Sequence, residues 1–315
     1  MISMKEKLSL SVKPHTYLYA ACFSVLLIVF SVFVLLDAFV IPKAYAVMDA
    51  ETTDAVDSAP PADTADTAGT KPTEPVMGDM SYQDENIDLK IEKVNENGVV
   101  FYVAELKLSD VKYIKTAFAK GTFGKNINEK TSVMAEENNA LFAINGDYCG
   151  FRDTGVIMRG GKLLRTKPRS NRRGLVLDKN GELLIIDEKK LTKEKLEELG
   201  AVECFSFGPT LVVDGKVDIN DTGTSKDLNP RTAIGQIEPL HYLFIVVDGR
   251  TKKSKGMKFP ELAEEFYKRG CKTAYNLDGG GSATMWFNGR VINSPTDGKY
   301  VGEREVSDII YIGKK

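Results

Sequence analysis

Hydrophobic and polar positions divide this chain into three regions of different character. Residues 14–36 carry no formal charge and consist mostly of Ala, Val, Leu, Ile, Phe and Tyr. A run of that length crosses a bilayer as a helix. Residues 48–84 are rich in Ala, Thr, Pro and Asp, with Pro60-Pro61, Pro72 and Pro75 and almost no large apolar side chains. Such a stretch has too little apolar surface to bury and is expected to be a disordered linker. From Asn86 onward the pattern becomes that of a folded domain. Ile87, Leu89 and Ile91 alternate with Asp88 and Lys90, as on a half-exposed strand. Turn pairs recur between apolar runs: Asn97-Gly98, Gly160-Gly161, Asn180-Gly181, Asp214-Gly215 and Asn288-Gly289. Each is a hairpin signal, so the sheet is expected to be largely antiparallel.

Helical signals are fewer. Thr192 is placed to cap a helix that runs to Leu199 and stops at Gly200, with Leu191 and Leu196 spaced as a hydrophobic staple. A second helix is expected from about Pro260 to Arg269, with Leu262 and Phe266 on one face and Gly270 after it. A third is expected over Ile127 to Asn138. The fold class is α+β: a mixed, largely antiparallel, hairpin-rich sheet with a few packed helices, preceded by one N-terminal transmembrane helix. The expected boundaries are a cytoplasmic N-terminus at 1–16, an anchor or signal segment at 17–41, the linker at 42–85 and a domain at 86–315.

Charge orients the apolar run. Lys5, Lys7 and Lys13 precede it, and the only acid before Asp37 is Glu6. Positive-inside asymmetry keeps the N-terminus in the cytoplasm and exports the rest. Ala44-Tyr45-Ala46 has the small-x-small form of a cleavage site. The run is long for a cleaved signal, so a single-pass anchor with an extracellular domain is the preferred expectation, and secretion after cleavage near Ala46 the alternative. A formal net charge of −2 argues against nucleic acid as a partner. Cys149, Cys204 and Cys271 lie in the domain without CxxC spacing, which allows one bridge at most.

Candidate chemistry centres on Asn276-Leu277-Asp278-Gly279-Gly280-Gly281-Ser282. Three consecutive glycines forfeit packing and cost backbone entropy, which suits a sharp turn or a close approach. A P-loop requires a lysine after the last glycine, and Ser282 stands there. A dinucleotide fingerprint leads into a helix, whereas residues 283–291 read as a hairpin about Asn288-Gly289. Histidine is scarce: only His15 and His241 occur. A histidine-rich zinc site is therefore excluded, and a Ser-His-Asp triad has one poorly placed candidate. Carboxylates, arginines, amides and hydroxyls remain. They gather at strand ends in four clusters: 145–152, 229–232, 248–250 and the glycine loop itself.

At these residues the chain resembles the phosphodiester glycosidase family. The resemblance is carried by Ala143-Ile144-Asn145-Gly146-Asp147-Tyr148, by Asn229-Pro230-Arg231-Thr232-Ala233-Ile234-Gly235, by Val247-Asp248-Gly249-Arg250 and by the loop 276–282. It extends over most of the chain after about residue 100. It implies hydrolysis of the C1–O bond of a sugar-1-phosphodiester, in a glycosyl-phosphate polymer such as an exopolysaccharide or in another cell-envelope glycoconjugate. Breaking that bond develops positive charge on the sugar and negative charge on the phosphate. On this reading Asp278 is the principal catalytic carboxylate and Arg231 the phosphate clamp. Asp147 and Asp248 serve as a second acid/base or hold a divalent cation such as calcium. Asn145 and Ser282 hydrogen-bond sugar or phosphate, backbone amides of Gly279, Gly280 and Gly281 add anion contacts, and Arg159 and Arg250 are further phosphate candidates. Two other classes stay open. One is a non-catalytic glycan-binding module displaying Tyr148, Phe151 or Trp286; the other is a metal-dependent phosphodiesterase.

Overall fold

The computed structural model describes residues 14–48, 74–218 and 227–313. Two compact units appear, Met1–Lys43 and Ala44–Lys315. The N-terminal tail ahead of Pro14 and the heart of the expected linker, 49–73, lie outside the described residues.

The first unit contains one helix, Pro14–Phe39, of 26 residues. At about 1.5 Å per residue it exceeds the roughly 30 Å of a bilayer core. Its described apolar side chains are exposed all round, unlike those of a helix buried in a soluble core. Length and composition thus suit a membrane span or a signal segment.

The second unit is built on three sheets, and every strand pairing described within them is antiparallel. The largest has nine strands. Its centre is Thr273–Asn276, Arg231–Glu238, His241–Val247 and Val99–Leu108, in that order. A second sheet orders Met285–Phe287, Ala140–Asn145, Asp308–Gly313 and Ile114–Phe118 side by side. A third runs from Lys162–Arg165 through Ile157–Arg159, Ala201–Phe205 and Arg173–Asp178 to Leu183–Asp187.

Burial explains how these layers stack. One face of the central strands supplies Phe244, Val246, Ile234 and Tyr275, which pack with Phe142, Ile144 and Met285 of the second sheet. The Phe142 and Phe244 rings meet at 5.2 Å. The opposite face supplies Val103, Ala233, Ile245 and Val247 to a second cluster with Leu262, Ala263 and Phe266 of the helix Phe259–Lys268. Gly235 permits that contact, since a Cβ there would stand 2.5 Å from the Phe266 ring. Covered on both sides, His241–Val247 is buried throughout and reads as an unbroken apolar run rather than an alternation.

The capped helix forms over Lys193–Leu199, with Thr192 accepting from the Lys195 N–H at 3.2 Å and Gly200 at φ +61°. Leu191 and Leu196 are both buried, as a staple requires. The third helix is shorter than its sequence pattern and covers Thr131–Glu137. Glu129 is drawn into a two-way backbone bridge with Val306, which removes the first residues from the helix. Residues 74–85, linker by composition, carry the last two strands at one side of the nine-stranded sheet, Val76–Met77 at its edge and Ser81–Gln83 next to it. Met80 and Tyr82 anchor them by packing on the main core. The strand Lys43–Val47 pairs with Thr122–Lys125. Tyr45 lies 5.9 Å from the Phe123 ring and the Met48 N–H donates to Gly121 O at 2.9 Å. All four cysteines are free thiols, three of them buried.

Candidate active site

Two strand ends from different sheets meet where the glycine loop begins. Ala140–Asn145 delivers Asn145, and Thr273–Asn276 delivers Asp278. Asn145 is fully buried and its amide makes four hydrogen bonds within the protein. Its oxygen accepts from the Thr232 hydroxyl at 2.8 Å and the Thr284 N–H at 3.2 Å. Its nitrogen donates to the Asp278 carbonyl at 2.7 Å and to Gly146 O at 3.3 Å. Asn145 is therefore not a ligand for sugar or phosphate. It ties the large sheet, the second sheet and the Asp278 backbone into one joint.

The Asp278 carboxylate accepts from the Ser282 hydroxyl at 2.5 Å and from the Gly279 N–H at 2.9 Å. Burial raises its pKa, and the Ser282 hydroxyl and the Arg304 charge work against that rise. Arg304 closes the arrangement. Its Nη2 donates to Ser282 Oγ at 2.8 Å and to Gly279 O at 3.2 Å, and stands 3.4 Å from Asp278 Oδ2. Arg304 also lies 3.8 Å from Asp297, and over a third of its side chain is exposed. A half-exposed cation, a hydroxyl and a nearly buried carboxylate thus form a closed triangle of contacts.

The glycines make this loop possible by close approach. A Cβ on Gly279 would stand 2.7 Å from Pro230 O, and one on Gly281 would stand 2.5 Å from Asp297 Oδ1. The N–H groups of Gly279 and Gly280 are committed to Asp278 Oδ1 and Pro230 O, which corrects their expected role as anion donors. Ser282 is buried and acts on Asp278, so it too is a supporting group rather than a direct substrate contact.

Asp147 and Arg159 belong to a different structure. Arg159 is almost fully buried, with Nη2 at 2.8 Å from Asp308 and 3.4 Å from Asp147, and Nη1 donating to the carbonyls of Met158 and Cys204. Burial alone would lower its pKa, but the two carboxylates outweigh that and raise it. Arg159 is therefore removed from the phosphate candidates: it neutralises buried acids. Asp147 is equally buried and accepts from the Ser206 N–H at 2.7 Å, which withdraws it from acid/base work on a substrate. Gly146 joins this cluster to the loop. It donates to Asp308 O at 2.8 Å and accepts from the Asp278 N–H at 3.1 Å.

Asp248 stands apart from both groups, accepting from Asn293 Nδ2 at 3.0 Å and the Ser294 N–H at 2.8 Å. Burial raises its pKa. Asp147 and Asp248, expected as the acids that could hold a cation, do not share one such group. Among the described residues, the metal-capable group of acids and thiols is Asp147, Cys149 and Asp308, with ligand atoms within 4.8 Å of one another. The Arg159 guanidinium already occupies that group, so the donor set does not fit a calcium ion.

Arg231 faces away from Asn145. Its strand neighbour Thr232 reaches Asn145, so alternation turns Arg231 to the helix side. There its guanidinium stacks 3.7 Å from the Phe259 ring centre and donates to the carbonyls of Met257 and Asp227. Burial brings its pKa down to about 10. Its orientation to the helix side, rather than its carbonyl contacts, argues against its expected role as the phosphate clamp. Arg250 is exposed and does flank the loop: a Cβ on Gly280 would lie 3.1 Å from its guanidinium.

Arg304 lies outside the four clusters that the sequence marks, and Arg152 lies within the first of them without an expected role. Tyr148 adopts φ +67° and stacks on Phe151 at 4.5 Å, with the Arg152 guanidinium 5.7 Å from the Tyr148 ring. A positive φ at a bulky aromatic is strained backbone of the kind found at functional sites. Arg152 is close enough for its charge to lower the Asp278 pKa. Trp286, by contrast, is core.

With this geometry in view, similarity to known proteins is decisive. A family profile described as phosphodiester glycosidase matches residues 138–313, more than half of the sequence. The chain belongs to the phosphodiester glycosidase family. Members of this family are hydrolases acting on glycosyl bonds. The SPbeta prophage-derived uncharacterized protein YomE of Bacillus subtilis (strain 168) is 32% identical over 200 residues, 60% of this chain and 30% of that protein. The N-acetylglucosamine-1-phosphodiester alpha-N-acetylglucosaminidase of Bos taurus is 39% identical over 70 residues, 22% of this chain and 13% of that protein. The chain thus spans less than a third of the length of either relative. In fold, this phosphodiester glycosidase is similar to the zebrafish enzyme's catalytic domain, auto-inhibited by its pro-peptide. The TM-score is 0.59 at 23% identity, covering 73% of this chain and 83% of that one.

Proposed function

We propose that this phosphodiester glycosidase is an exported hydrolase that cleaves the C1–O bond of a sugar-1-phosphodiester, with Asp278 as its catalytic carboxylate. The observation that carries the reading is the Arg304–Ser282–Asp278 cluster at the mouth of the glycine loop. An ionised Asp278 beside C1 stabilises the oxocarbenium-like charge, either as nucleophile or by activating water. Arg304 and Ser282 favour that ionised form against the burial that opposes it. The phosphate leaves as a stable monoester anion that needs little protonation, so a single carboxylate is enough. This matches the protein-internal partners of Asp147 and Asp248. Their contacts support neither a paired-acid mechanism nor a metal-dependent phosphodiesterase.

The bovine relative's name points to an N-acetylglucosamine-1-phosphodiester as the first substrate to try. The apolar helix Pro14–Phe39 favours action outside the cytoplasm, on a glycosyl-phosphate of the cell envelope or an exopolysaccharide, with the helix kept as an anchor. The test is hydrolysis of such a phosphodiester in oxygen-18 water. Label in the released sugar is the expected result, and label in the phosphate sinks the glycosidase reading. Asp278→Asn is expected to abolish turnover with an unchanged circular dichroism spectrum.

A further inference from the structure

Beside the Asp278 loop, two arginines are held by groups that carry no negative charge. Arg152 Nη2 donates to the carbonyl oxygens of Asp147 and Ser206, at 2.6 Å and 2.5 Å. Its guanidinium lies 5.3 Å from the Phe207 ring centre, and its Nε is buried without a partner. Arg169 Nη1 donates to the Phe207 carbonyl at 2.8 Å. Both arginines therefore grip the Ser206-Phe207 segment, one over the ring and one at the carbonyl.

This arrangement has an electrostatic cost. Burial lowers the Arg169 pKa, and the positive charges of Arg152 and Arg172 lower it further. Glu188 opposes that repulsion, but its oxygens already accept from the Ser206 hydroxyl and the Arg169 backbone N–H. Arginines fixed by carbonyls rather than free to swing, beside a Glu188 whose oxygens are taken by other donors, are preorganised for an anion. A phosphate bound there relieves the mutual repulsion and supplies an acceptor for fixed guanidinium N–H groups. The position suits the reaction, because the Arg152 charge is felt at Asp278.

We propose that Arg152 and Arg169 are the phosphate-binding pair of this site, holding the phosphodiester against Phe207 while Asp278 meets the sugar. The choice of ligand rests on the glycosidase reading above; the binding test does not. Inorganic phosphate is titrated into the full-length chain in detergent micelles by calorimetry, for wild type, Arg169→Gln, Arg152→Lys and the remote control Arg290→Gln. Loss of one charge-assisted contact, at about 1.5 kcal/mol or more, weakens binding at least about tenfold. That loss is expected in Arg169→Gln and Arg152→Lys, each still folded by circular dichroism at the assay temperature, with wild-type affinity in the control. KM for a sugar-1-phosphodiester is expected to rise in parallel. Absent phosphate binding in the wild type, or equal affinity in all four proteins, overturns the pair. Binding that follows the arginines while no sugar phosphodiester is cleaved leaves the pair standing and removes the glycosidase reading. Cleavage with unaltered KM and phosphate affinity in both variants does the reverse.

Discussion

Glu203 offers a quantitative check on the buried charge cluster behind the site. It is 2% exposed and sits near Arg159 and Asp308, accepting from the Gly160 N–H at 3.0 Å and from the Thr116 hydroxyl. Burial raises its pKa from 4.5 to about 7, against the pull of Arg159 and these donors. The unfolded chain releases this proton near pH 4.5 and the folded one near pH 7, so between them the folded chain holds one more proton. Stability therefore falls as pH rises through that window and levels off above it. The 2.5 units between the two values correspond to about 3 kcal/mol. Glu203→Gln is neutral in both states and mimics the protonated side chain, keeping an acceptor for Gly160. It is expected to gain about 3 kcal/mol relative to wild type between pH 4.5 and 7.5. Urea unfolding at several pH values, followed by Trp286 fluorescence, reads this directly. Trp286 is the only tryptophan and is buried in the second sheet. Parallel stability–pH profiles for the two proteins would refute the argument.

Further expected outcomes concern the loop. Ser282→Ala removes the hydroxyl that holds the Asp278 pKa down, so that pKa rises further. The acid limb of the pH–kcat/KM profile is expected to move to higher pH, and an unmoved limb would detach Asp278 from the rate. Gly146→Ala places a Cβ 2.3 Å from the Asp308 carboxylate, which Arg159 holds in place. Destabilisation of about 1–3 kcal/mol is expected in urea unfolding, with loss of activity because Gly146 also supports Asp278. A stable, active variant would show that this joint can shift.

The legible parts of this protein are those with local signals. Turn pairs such as Asn288-Gly289, both residues at positive φ, mark hairpins because few residues tolerate that backbone. The glycine triplet marks the Asp278 loop because side chains there would strike Pro230 and Asp297. Direction was less legible. Asn145, Asp147 and Arg159 have the right chemistry for a site, yet Thr284, Ser206 and Asp308, distant in sequence, turn them inward. The strand Arg231–Glu238 is buried on both faces, so its pattern does not tell that Thr232 faces the site and Arg231 the helix. Arg304 lies in a charged stretch after Gly302 with no periodicity, and only the folded chain brings it to Ser282.

The pairing of Lys43–Val47 with Thr122–Lys125 sets a time limit on how long that first segment stays an open chain. Ala44-Tyr45-Ala46, the segment with the form of a cleavage site, lies within that strand. Its partner strand is made some 76 residues later, the interval from Ala46 to Thr122. At about 5–20 residues per second, synthesis leaves the segment unpaired for roughly 4–15 s. A peptidase acting within that interval meets an open chain; afterwards it competes with a formed strand and with Tyr45 packed against Phe123. For any peptidase directed at this segment, strand pairing therefore closes the interval in which the chain is open to it.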